Sequence, residues 1–193
     1  MGKKRGKLFV VSAPSGSGKT TLCRELIRSL RGKRKLVRSI SVTTRRRRGK
    51  EREGRDYFFV SPREFIKRRN RQEFLEWARV LNNYYGTPCD FIEKHTGRGD
   101  DVLLNIDVQG AMKIKRKKRD AVLIFILPPS FKVLEGRLRR RSTESKAEIA
   151  RRLKFARHEM RFVRKYNYAV LNDEIARALK QLKEIIRQER KKK

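Results

Sequence analysis

Four short apolar runs along the chain alternate with segments in which apolar residues recur at helical spacing. The runs cover residues 8–11, 102–106, 121–127 and 168–171, and a turn signal follows each of them. Continuous apolar runs of this length are typical of strands that are buried on both faces of a sheet. Because strands that alternate with helices pair in parallel, the pattern predicts an α/β fold.

Two amphipathic helices are predicted in the last third of the chain. The first covers residues 148–163, and its apolar stripe contains Ile149, Leu153, Ala156, Met160 and Val163. The second is the final helix, whose stripe contains Ile175, Ala178, Leu179, Leu182, Ile185 and Ile186. Both stripes predict helices that pack on a core. The polar residues 142–146 predict a mobile loop before the first helix.

The alternation of strands and helices weakens between about residues 38 and 88. Two β-like pieces at residues 39–43 and 57–60 flank a loop rich in arginine and glycine. No internal repeat and no Pro/Ser-rich linker separates this region from the rest of the chain. We therefore predict one domain over residues 1–193 with an inserted lobe.

The composition adds a strong positive charge to this picture. The 193 residues include 54 Lys+Arg and 21 Asp+Glu, which gives a formal net charge of +33 at pH 7. Such an excess predicts anionic partners. Cations cluster at residues 45–48, 115–119, 137–141 and 191–193. Solvated helix faces would explain these clusters, and nonspecific contact with RNA or DNA is the alternative interpretation.

Several classes of protein are disfavoured by the same sequence. No apolar run approaches the roughly 18 residues of a membrane span, and the first residues have no signal-peptide core. Cys23 and Cys89 are too few for a disulfide framework and lack metal-ligand partners at useful spacing. We expect a cytoplasmic protein with no membrane partner.

A phosphate-binding loop follows the first predicted strand. Its sequence is A-P-S-G-S-G-K-T, formed by Ala13, Pro14, Ser15, Gly16, Ser17, Gly18, Lys19 and Thr20. Gly18, Lys19 and Thr20 match the Walker A pattern, while Ala13 replaces its first glycine. In such a loop, backbone N–H groups and a helix N-terminus bind a polyphosphate. Lys19 would bridge the β- and γ-phosphates, and Thr20 would offer its hydroxyl to Mg²⁺.

Motifs across the rest of the chain are similar to those of one enzyme family. They read S-I-S-V-T-T-R-R-R-R at 39–48, G-R-D-Y-F-F-V at 54–60, F-L-E-W-A at 74–78, N-Y-Y-G-T at 83–87, N-I-D-V-Q-G-A at 105–111, I-L-P-P-S at 126–130 and V-L-N-D at 170–173. Together with the phosphate loop they resemble guanylate kinase, in the family's order and approximate spacing. The resemblance covers nearly the whole chain.

The resemblance implies a fold, a reaction and a cofactor. The fold is a P-loop three-layer sandwich with a mostly parallel sheet, and its core covers about residues 1–37, 89–135 and 158–193. A GMP-binding lobe with short mixed strands covers about 38–88, and a helical lid covers about 136–157. The reaction transfers the γ-phosphoryl group of ATP to GMP or dGMP in purine nucleotide metabolism, with Mg²⁺.

The resemblance also implies which residues bind GMP. Ser41, Glu76 and Thr87 match the contacts to guanine, and Asp107 matches an acidic position near its amine. Guanine presents N–H donors at N1 and N2, whereas adenine has no donor at N1, so a buried Glu76 carboxylate would reject adenine. The positions that match the family's clamp on the GMP phosphate are Arg45, Arg48, Tyr57 and Tyr85.

ATP contacts are implied at the phosphate loop and at the lid. Arg137, Arg141 and Arg152 match arginines that reach the ATP phosphates, where they add positive charge and help to exclude water. Asn172 matches a position near the adenine, although a helix cap before the final helix is an equal alternative. The residues expected to act in catalysis are Lys19, Arg48, Arg137 and Arg152.

The chain departs from the family pattern at three places. Asn105 stands where the family commonly has an acidic residue, which predicts a modest loss of turnover. Arg47 replaces a proline in the arginine-rich loop. Arg140, Arg141 and Ser142 replace the usual G-R-G of the lid.

Three other functions compete with the kinase. A noncatalytic guanylate-kinase-like interaction domain typically lacks a working phosphate loop, whereas Lys19 and Thr20 are present here. A basic nucleic-acid-binding protein on the same fold would need exposed aromatic platforms, whereas Tyr57 and Tyr85 lie in the substrate motifs. A P-loop kinase for a ribose bisphosphate is disfavoured by Ser41 together with Glu76.

Overall fold

The computed structural model describes residues 5–30, 32, 34–139 and 146–192, which form two sheets and seven α-helices. The strands are β1 (Leu8–Ser12), β2 (Leu36–Arg38), β3 (Val42–Thr43), β4 (Phe58–Phe59), β5 (Phe74–Val80), β6 (Asn83–Pro88), β7 (Asp101–Asn105), β8 (Val122–Leu127) and β9 (Tyr168–Leu171). The helices are α1 (Lys19–Ser29), α2 (Pro62–Asn70), α3 (Cys89–Gly97), α4 (Val108–Lys117), α5 (Phe131–Arg139), α6 (Lys146–Met160) and α7 (Ile175–Lys191), with a 3₁₀ turn at Val163–Lys165.

The larger sheet has five strands in the order β2-β7-β1-β8-β9, and every pair in it is parallel. Four of these strands are the apolar runs of the sequence. The fifth, β2, was not predicted, because it is three residues long and Leu36 is its one buried residue. The predicted α/β fold with a mostly parallel sheet is confirmed.

Helices cover both faces of this sheet and produce three layers. Phe9 and Val11 of β1 belong to the cluster that includes Leu22 of α1 and Leu182 of α7. Leu8 and Val10 project to the opposite cluster, which the residues Ile92 of α3 and Ile114 of α4 complete. Both faces exclude water, which explains why the strands are apolar at every position instead of at alternate ones.

The second sheet has four short strands in the order β4-β3-β6-β5 and mixed direction. The predicted pieces 39–43 and 57–60 are confirmed only in part, as β3 and β4 are two residues each. The β5–β6 hairpin was not predicted. Leu81 and Asn82 form its two-residue turn and have positive φ values of 46° and 67°, as such turns require. The inward positions of β5 are Phe74, Glu76 and Ala78, so a carboxylate interrupts the apolar alternation.

Strand β5 is fastened to α4 of the core. The Lys113 ammonium donates a hydrogen bond to the Trp77 carbonyl, and Lys117 Nζ donates to the Leu75 carbonyl at 2.7 Å. An added Cβ at Gly110 would lie 2.7 Å from Glu76 Oε2, so only a glycine lets the carboxylate approach this closely. One edge of the small sheet therefore packs directly on the core.

The helices near the end of the chain differ in detail from the prediction. Helix α6 ends at Met160 rather than at residue 163, and its buried residues are Arg152, Ala156 and Glu159. Ile175 was predicted to pack on the core but is 51% exposed at the first turn of α7. Residues 142–145 of the predicted loop lie outside the described residues. In the described ranges, no helix combines the length and apolar character needed to cross a membrane.

Candidate active site

The phosphate loop connects the carboxyl end of β1 to α1. Gly16 and Gly18 have φ values of 92° and 85°, a left-handed conformation that glycine adopts without strain. Ser17 N–H donates to the Pro14 carbonyl at 3.1 Å and closes the turn. Helix α1 begins at Lys19, and no described side chain caps it. Its first N–H groups are therefore available to an anion.

Lys19 crosses the loop toward the end of β7. Its Nζ donates to the Ile106 carbonyl at 2.8 Å. Burial lowers the pKa of Lys19 from its ordinary value, and the nearby Glu159 carboxylate opposes this shift. The ammonium is thus held beside the loop at the position where it can meet the phosphates of a nucleotide.

Helix α6 brings two charged side chains to the same loop residue. Arg152 Nη1 donates to Ser15 Oγ at 3.5 Å, and the backbone N–H of Ser15 acts to lower the pKa of the Glu159 carboxyl. Glu159 is 3% exposed, and its Oε2 has no hydrogen-bond partner among the described residues. Burial raises the pKa of Glu159 to about 8, while Lys19 opposes the rise.

Glu159 was not predicted as a site residue. A signal was present, because Arg152 and Glu159 are seven residues apart and therefore lie on one face of a helix. The apolar stripe of α6 predicted a packing helix, so its charged residues other than Arg152 were not assigned to the site. Of that stripe, Ala156 is buried, and Leu153 packs against Leu134 and Leu138 of α5.

A cavity of about 250 Å³ joins the phosphate loop to the small sheet. The predicted residues that line it are Ala13, Pro14, Ser15, Gly16, Ser17, Gly18, Lys19, Thr20, Ser41, Arg48, Tyr57, Glu76, Tyr85, Asp107 and Arg152. Additional lining residues include Asn105, Phe155 and Glu159. Two groups of residues that are far apart in the sequence thus face one space.

Glu76 is the buried acid at the far side of this cavity. Its side chain is 3% exposed, and its Oε1 accepts a hydrogen bond from Thr87 Oγ1 at 2.5 Å. Burial raises the pKa of Glu76 to about 7, and the negative charge of Asp107 contributes to the rise. Asp107 caps α4, since its Oδ1 accepts from the Gln109 N–H at 2.7 Å. Thr87 does not line the cavity but supports Glu76 from behind.

Arg45 is held by the carboxylate of Glu51, which was not predicted as a site residue. Arg45 Nη2 lies 2.8 Å from Glu51 Oε1 and 3.0 Å from Oε2, and the Arg48 N–H donates to Oε2 at 2.9 Å. The Arg45 guanidinium also lies over the Tyr57 ring, 5.3 Å from its centroid. Arg45 itself does not line the cavity. The sequence contained a signal for Glu51, because an acid within an arginine-rich loop is a candidate partner for one of the arginines.

Two predicted ATP contacts, Asn172 and Arg137, do not line the cavity. Asn172 is 3% exposed, and its Nδ2 donates to the Ser17 carbonyl at 2.6 Å, so it supports the loop from behind. The helix-cap alternative for Asn172 is wrong, because α7 begins at Ile175 after Glu174. Arg137 is on α5, outside the cavity lining. Arg141 lies outside the described residues.

Comparisons with known proteins agree with this geometry. The family model described as guanylate kinase matches residues 5–189. A guanylate kinase from Caldanaerobacter subterraneus subsp. tengcongensis is 48% identical over 184 residues, which cover 95% of this chain and 88% of the relative. The guanylate kinase of Thermotoga maritima is 43% identical over 188 residues, covering 97% and 89%.

A solved structure gives the same result for the fold. The crystal structure of guanylate kinase from Anaplasma phagocytophilum is 35% identical and superposes with a TM-score of 0.83, covering 100% of this chain and 90% of that one. Sequence and structure thus agree over the whole length, and the chain belongs to the guanylate kinase family.

Proposed function

We propose that this chain transfers the γ-phosphoryl group of ATP to GMP or dGMP, giving ADP and GDP or dGDP. The observation that carries the proposal is the shared cavity, which has the phosphate loop with Lys19 on one side and the buried carboxylate of Glu76 on the other. A donor and an acceptor nucleotide bound there would meet end to end, which phosphoryl transfer requires.

Glu76 reads the base in this proposal. Its carboxylate accepts hydrogen bonds from the N1–H and N2–H₂ groups of guanine. The Ser41 hydroxyl completes the set, Asp107 lies near the amine, and Thr87 orients the carboxylate through its hydrogen bond. Adenine would leave the buried carboxylate without a donor at N1, and an unpaired buried acceptor strongly disfavours binding.

The GMP phosphate is held by cations and hydroxyls and needs no general base, because its attacking oxygen is already an anion. Arg45, Arg48, Tyr57 and Tyr85 bind the oxygens that do not attack. The ion pair between Arg45 and Glu51 supports this assignment, since it orients the guanidinium before the ligand arrives.

The ATP phosphates bind the N–H groups of the loop, and Lys19 bridges the β- and γ-phosphates. Arg152, together with Arg137 and Arg141, adds positive charge where the transferring group spreads its negative charge. The contact of Arg152 with Ser15 supports this role. Asn172 holds the loop in shape through its bond to the Ser17 carbonyl.

Mg²⁺ fits this site as a companion of the nucleotide. Thr20 offers an exposed hydroxyl at the start of α1, and oxygen ligands suit this hard cation. The described residues include no group of three His, Cys, Asp or Glu side chains that would hold a metal independently. The nucleotide phosphates and water would supply the remaining ligands. When bound, Mg²⁺ neutralises the phosphate oxygens that gain charge in the reaction.

The cellular setting is part of the same proposal. Residues 38–88 form the GMP-binding lobe and residues 136–157 the lid, and both act with the core of a single domain. The enzyme works in the cytoplasm, where it recycles GMP in purine nucleotide metabolism. The high positive charge attracts its anionic substrates and also permits nonspecific contact with nucleic acid.

A coupled assay of ADP release tests the reaction. We expect Mg-ATP to be consumed with GMP and dGMP but not with AMP, CMP or UMP, and Lys19→Ala to abolish turnover. Lys180→Ala, which alters an exposed lysine of α7, is the matched control and should keep full activity. GMP binding without ADP release would contradict the proposal and favour a noncatalytic interaction domain.

A further inference from the structure

Two basic segments meet at the edge of the core that is opposite the active site. Residues 115–119 are five consecutive cations at the end of α4, and all five are exposed. Arg161, Arg164 and Lys165 are exposed after α6. Lys115 Nζ donates to the Lys165 carbonyl at 2.6 Å, so the two segments are in contact. We call these eight residues the distal basic face.

The charges of the distal basic face are not compensated by acids. In the part of the chain that the structure describes, none of the eight cations forms an ion pair. Other cations of the core do form ion pairs. Arg34 and Arg190, for example, pair with the buried Asp101 at 2.5 and 2.7 Å. The face therefore repels itself, and an anionic partner would relieve that repulsion.

The active site does not explain this charge. Asp107, the N-cap of helix α4, lines the cavity, and the ten residues of the helix place its far end about 15 Å away at ~1.5 Å per residue. Residues 161–165 precede β9, which runs parallel to the other core strands, whereas the phosphate loop follows the carboxyl end of β1. The face and the phosphate loop thus lie at opposite ends of the same strands.

Helix capping explains only part of the cluster. The negative end of a helix dipole favours cations within its last turn, but Lys118 and Arg119 lie beyond the end of α4. The side chains of Lys118, Arg119, Arg161 and Arg164 make no hydrogen bond to any described residue. Their charged groups are exposed and able to contact an external anion.

We propose that the distal basic face binds the phosphate backbone of a nucleic acid strand, independently of nucleotide binding at the active site. Regularly spaced phosphates suit a row of cations that spans two segments. Phe162 lies between these cations in the sequence and is partly buried, with Lys165 Nζ 5.1 Å from its ring centroid, so the charges of the face and not this ring carry the proposal.

A lipid surface is a poorer partner for this face. Binding to a membrane interface usually combines cations with exposed large apolar side chains that enter the acyl boundary. The exposed large apolar residues of the described chain are Phe58, Leu81, Phe131, Leu171 and Ile175. None of them belongs to either basic segment, so the face carries charge without an apolar anchor.

Fluorescence anisotropy with labelled single-stranded oligouridylate tests the proposal on the full chain. If four phosphates are neutralised, the logarithm of the affinity falls by about 2.8 per tenfold rise in salt. Binding should then weaken about fiftyfold between ~50 and ~200 mM salt. A variant with Lys118→Gln, Arg119→Gln, Arg161→Gln and Arg164→Gln should lose most of both the affinity and this salt dependence.

A matched variant distinguishes the contribution of the distal basic face to oligouridylate binding from that of the overall net charge. This variant removes four exposed cations from α2 and α7 instead, through Arg63→Gln, Lys67→Gln, Lys180→Gln and Arg187→Gln. It should retain the affinity of the unmodified chain for oligouridylate. Equal losses in the two variants would overturn the proposal, since the binding would then follow overall charge. Stronger binding to phosphatidylserine vesicles than to oligouridylate would overturn it in favour of a lipid partner.

Kinase activity provides the last control and keeps the two proposals distinguishable. The distal variant should retain full ADP release with GMP, and saturating oligouridylate should leave the KM for GMP and for ATP unchanged. Competitive inhibition by oligouridylate would contradict the distal location and place the binding at the active site. An inactive kinase that still binds oligouridylate through the face would refute only the proposed reaction.

Discussion

The hydroxyl of Thr87 donates a 2.5 Å hydrogen bond to the carboxylate of Glu76, and this is the one hydrogen bond that Glu76 makes with the described side chains. A buried carboxylate with one protein donor is under-solvated, which is why burial raises the pKa of Glu76 to about 7. The carboxylate can accept further hydrogen bonds from a ligand that donates N–H groups, and guanine is such a ligand.

GMP affinity should depend on the protonation of Glu76. As the pH falls through about 7, the carboxyl gains a proton and loses an acceptor for the guanine N–H groups, so the KM for GMP should rise by up to about tenfold per pH unit. Steady-state kinetics over a pH series measure this change. The phosphate of GMP titrates near pH ~6 and gives a separate inflection. In Glu76→Gln only the phosphate inflection should remain, and an unchanged profile in that variant would contradict the assignment.

The same carboxyl should destabilise the fold at high pH. Its pKa is raised in the folded state, so above about 7 the native protein keeps a buried charge that the unfolded chain hydrates freely. Glu76→Gln should therefore raise the free energy of unfolding at pH 8 by up to about 3 kcal/mol. The gain should vanish below pH ~4.5, where both states are protonated.

Urea unfolding at the two pH values measures that difference. Glu93→Gln, at an exposed position of α3, is the control and should change the free energy of unfolding by less than about 0.5 kcal/mol at either pH. A Glu76→Gln variant that is less stable at pH 8 would show that the carboxylate is a structural partner of Thr87 and not a group kept for binding.

Glu51 should act as a positioning residue for the phosphate clamp. Glu51→Gln removes the charge that orients Arg45, so we expect the KM for GMP to rise about tenfold while the KM for ATP stays unchanged. Glu53→Gln is the matched control, because the Glu53 carboxylate in the same loop accepts from the Phe59 N–H. A rise in both KM values, or an equal effect of the two variants, would indicate a general disturbance of the loop.

Glu159 should weaken ATP binding when it is ionised. Glu159→Gln keeps an acceptor for the Ser15 N–H but removes a negative charge from the phosphate cavity. Because the pKa of Glu159 is raised to about 8, the variant and the parent should bind ATP equally at pH 7. At pH 9 the variant should bind about fivefold more tightly, which is ~1 kcal/mol of relieved repulsion.

Calorimetric titration with ATP at the two pH values measures this effect. Glu135→Gln, which alters an exposed pair with Arg139 on α5, should leave ATP affinity unchanged at both. Weaker ATP binding by Glu159→Gln at both pH values would show the opposite role, in which the carboxylate keeps Lys19 charged and correctly placed.

Turnover should improve when a carboxylate is restored at position 105. Asn105 lines the cavity beside Ile106, whose carbonyl holds Lys19. We expect Asn105→Asp to raise kcat about threefold, because the added charge helps to organise Lys19 and the metal ion. Asn167→Asp is a control outside the cavity and should leave kcat unchanged. An unchanged kcat in Asn105→Asp would contradict the hypothesis that Asn105 limits turnover.

The sequence predicted the structure best where a hydrophobic pattern and a chemical motif lie next to each other. The parallel sheet could be predicted because its strands are apolar at every position, and the phosphate loop could be predicted because glycines precede Lys19 and Thr20 after such a strand. The β5–β6 hairpin could not be predicted in this way, because Glu76 occupies an inward position. The residue that breaks the strand pattern is the one that the proposed function requires.

Glu51 and Glu159 illustrate a second limit of sequence reasoning. Each acid lies among many cations, and in a chain with 39% charged residues such a neighbour is expected by chance. Whether a carboxylate is buried beside a loop or hydrated on a helix depends on tertiary packing, which a local pattern does not contain. The spacing of Arg152 and Glu159 becomes meaningful only after the packing of α6 is known.

The attachment of β5 to α4 has a mechanical consequence for the lobe. Lys113, Lys117 and Gly110 fix the β5 edge, which carries Glu76, the proposed guanine contact, to the core. The arginine-rich loop leads into β4, at the opposite edge of the four-stranded sheet. Any rotation of the lobe therefore pivots near the base and gives its largest displacement at the arginines. If GMP binds as proposed, its base would contact the edge that is fixed to α4, and its phosphate would contact the edge that is free to move.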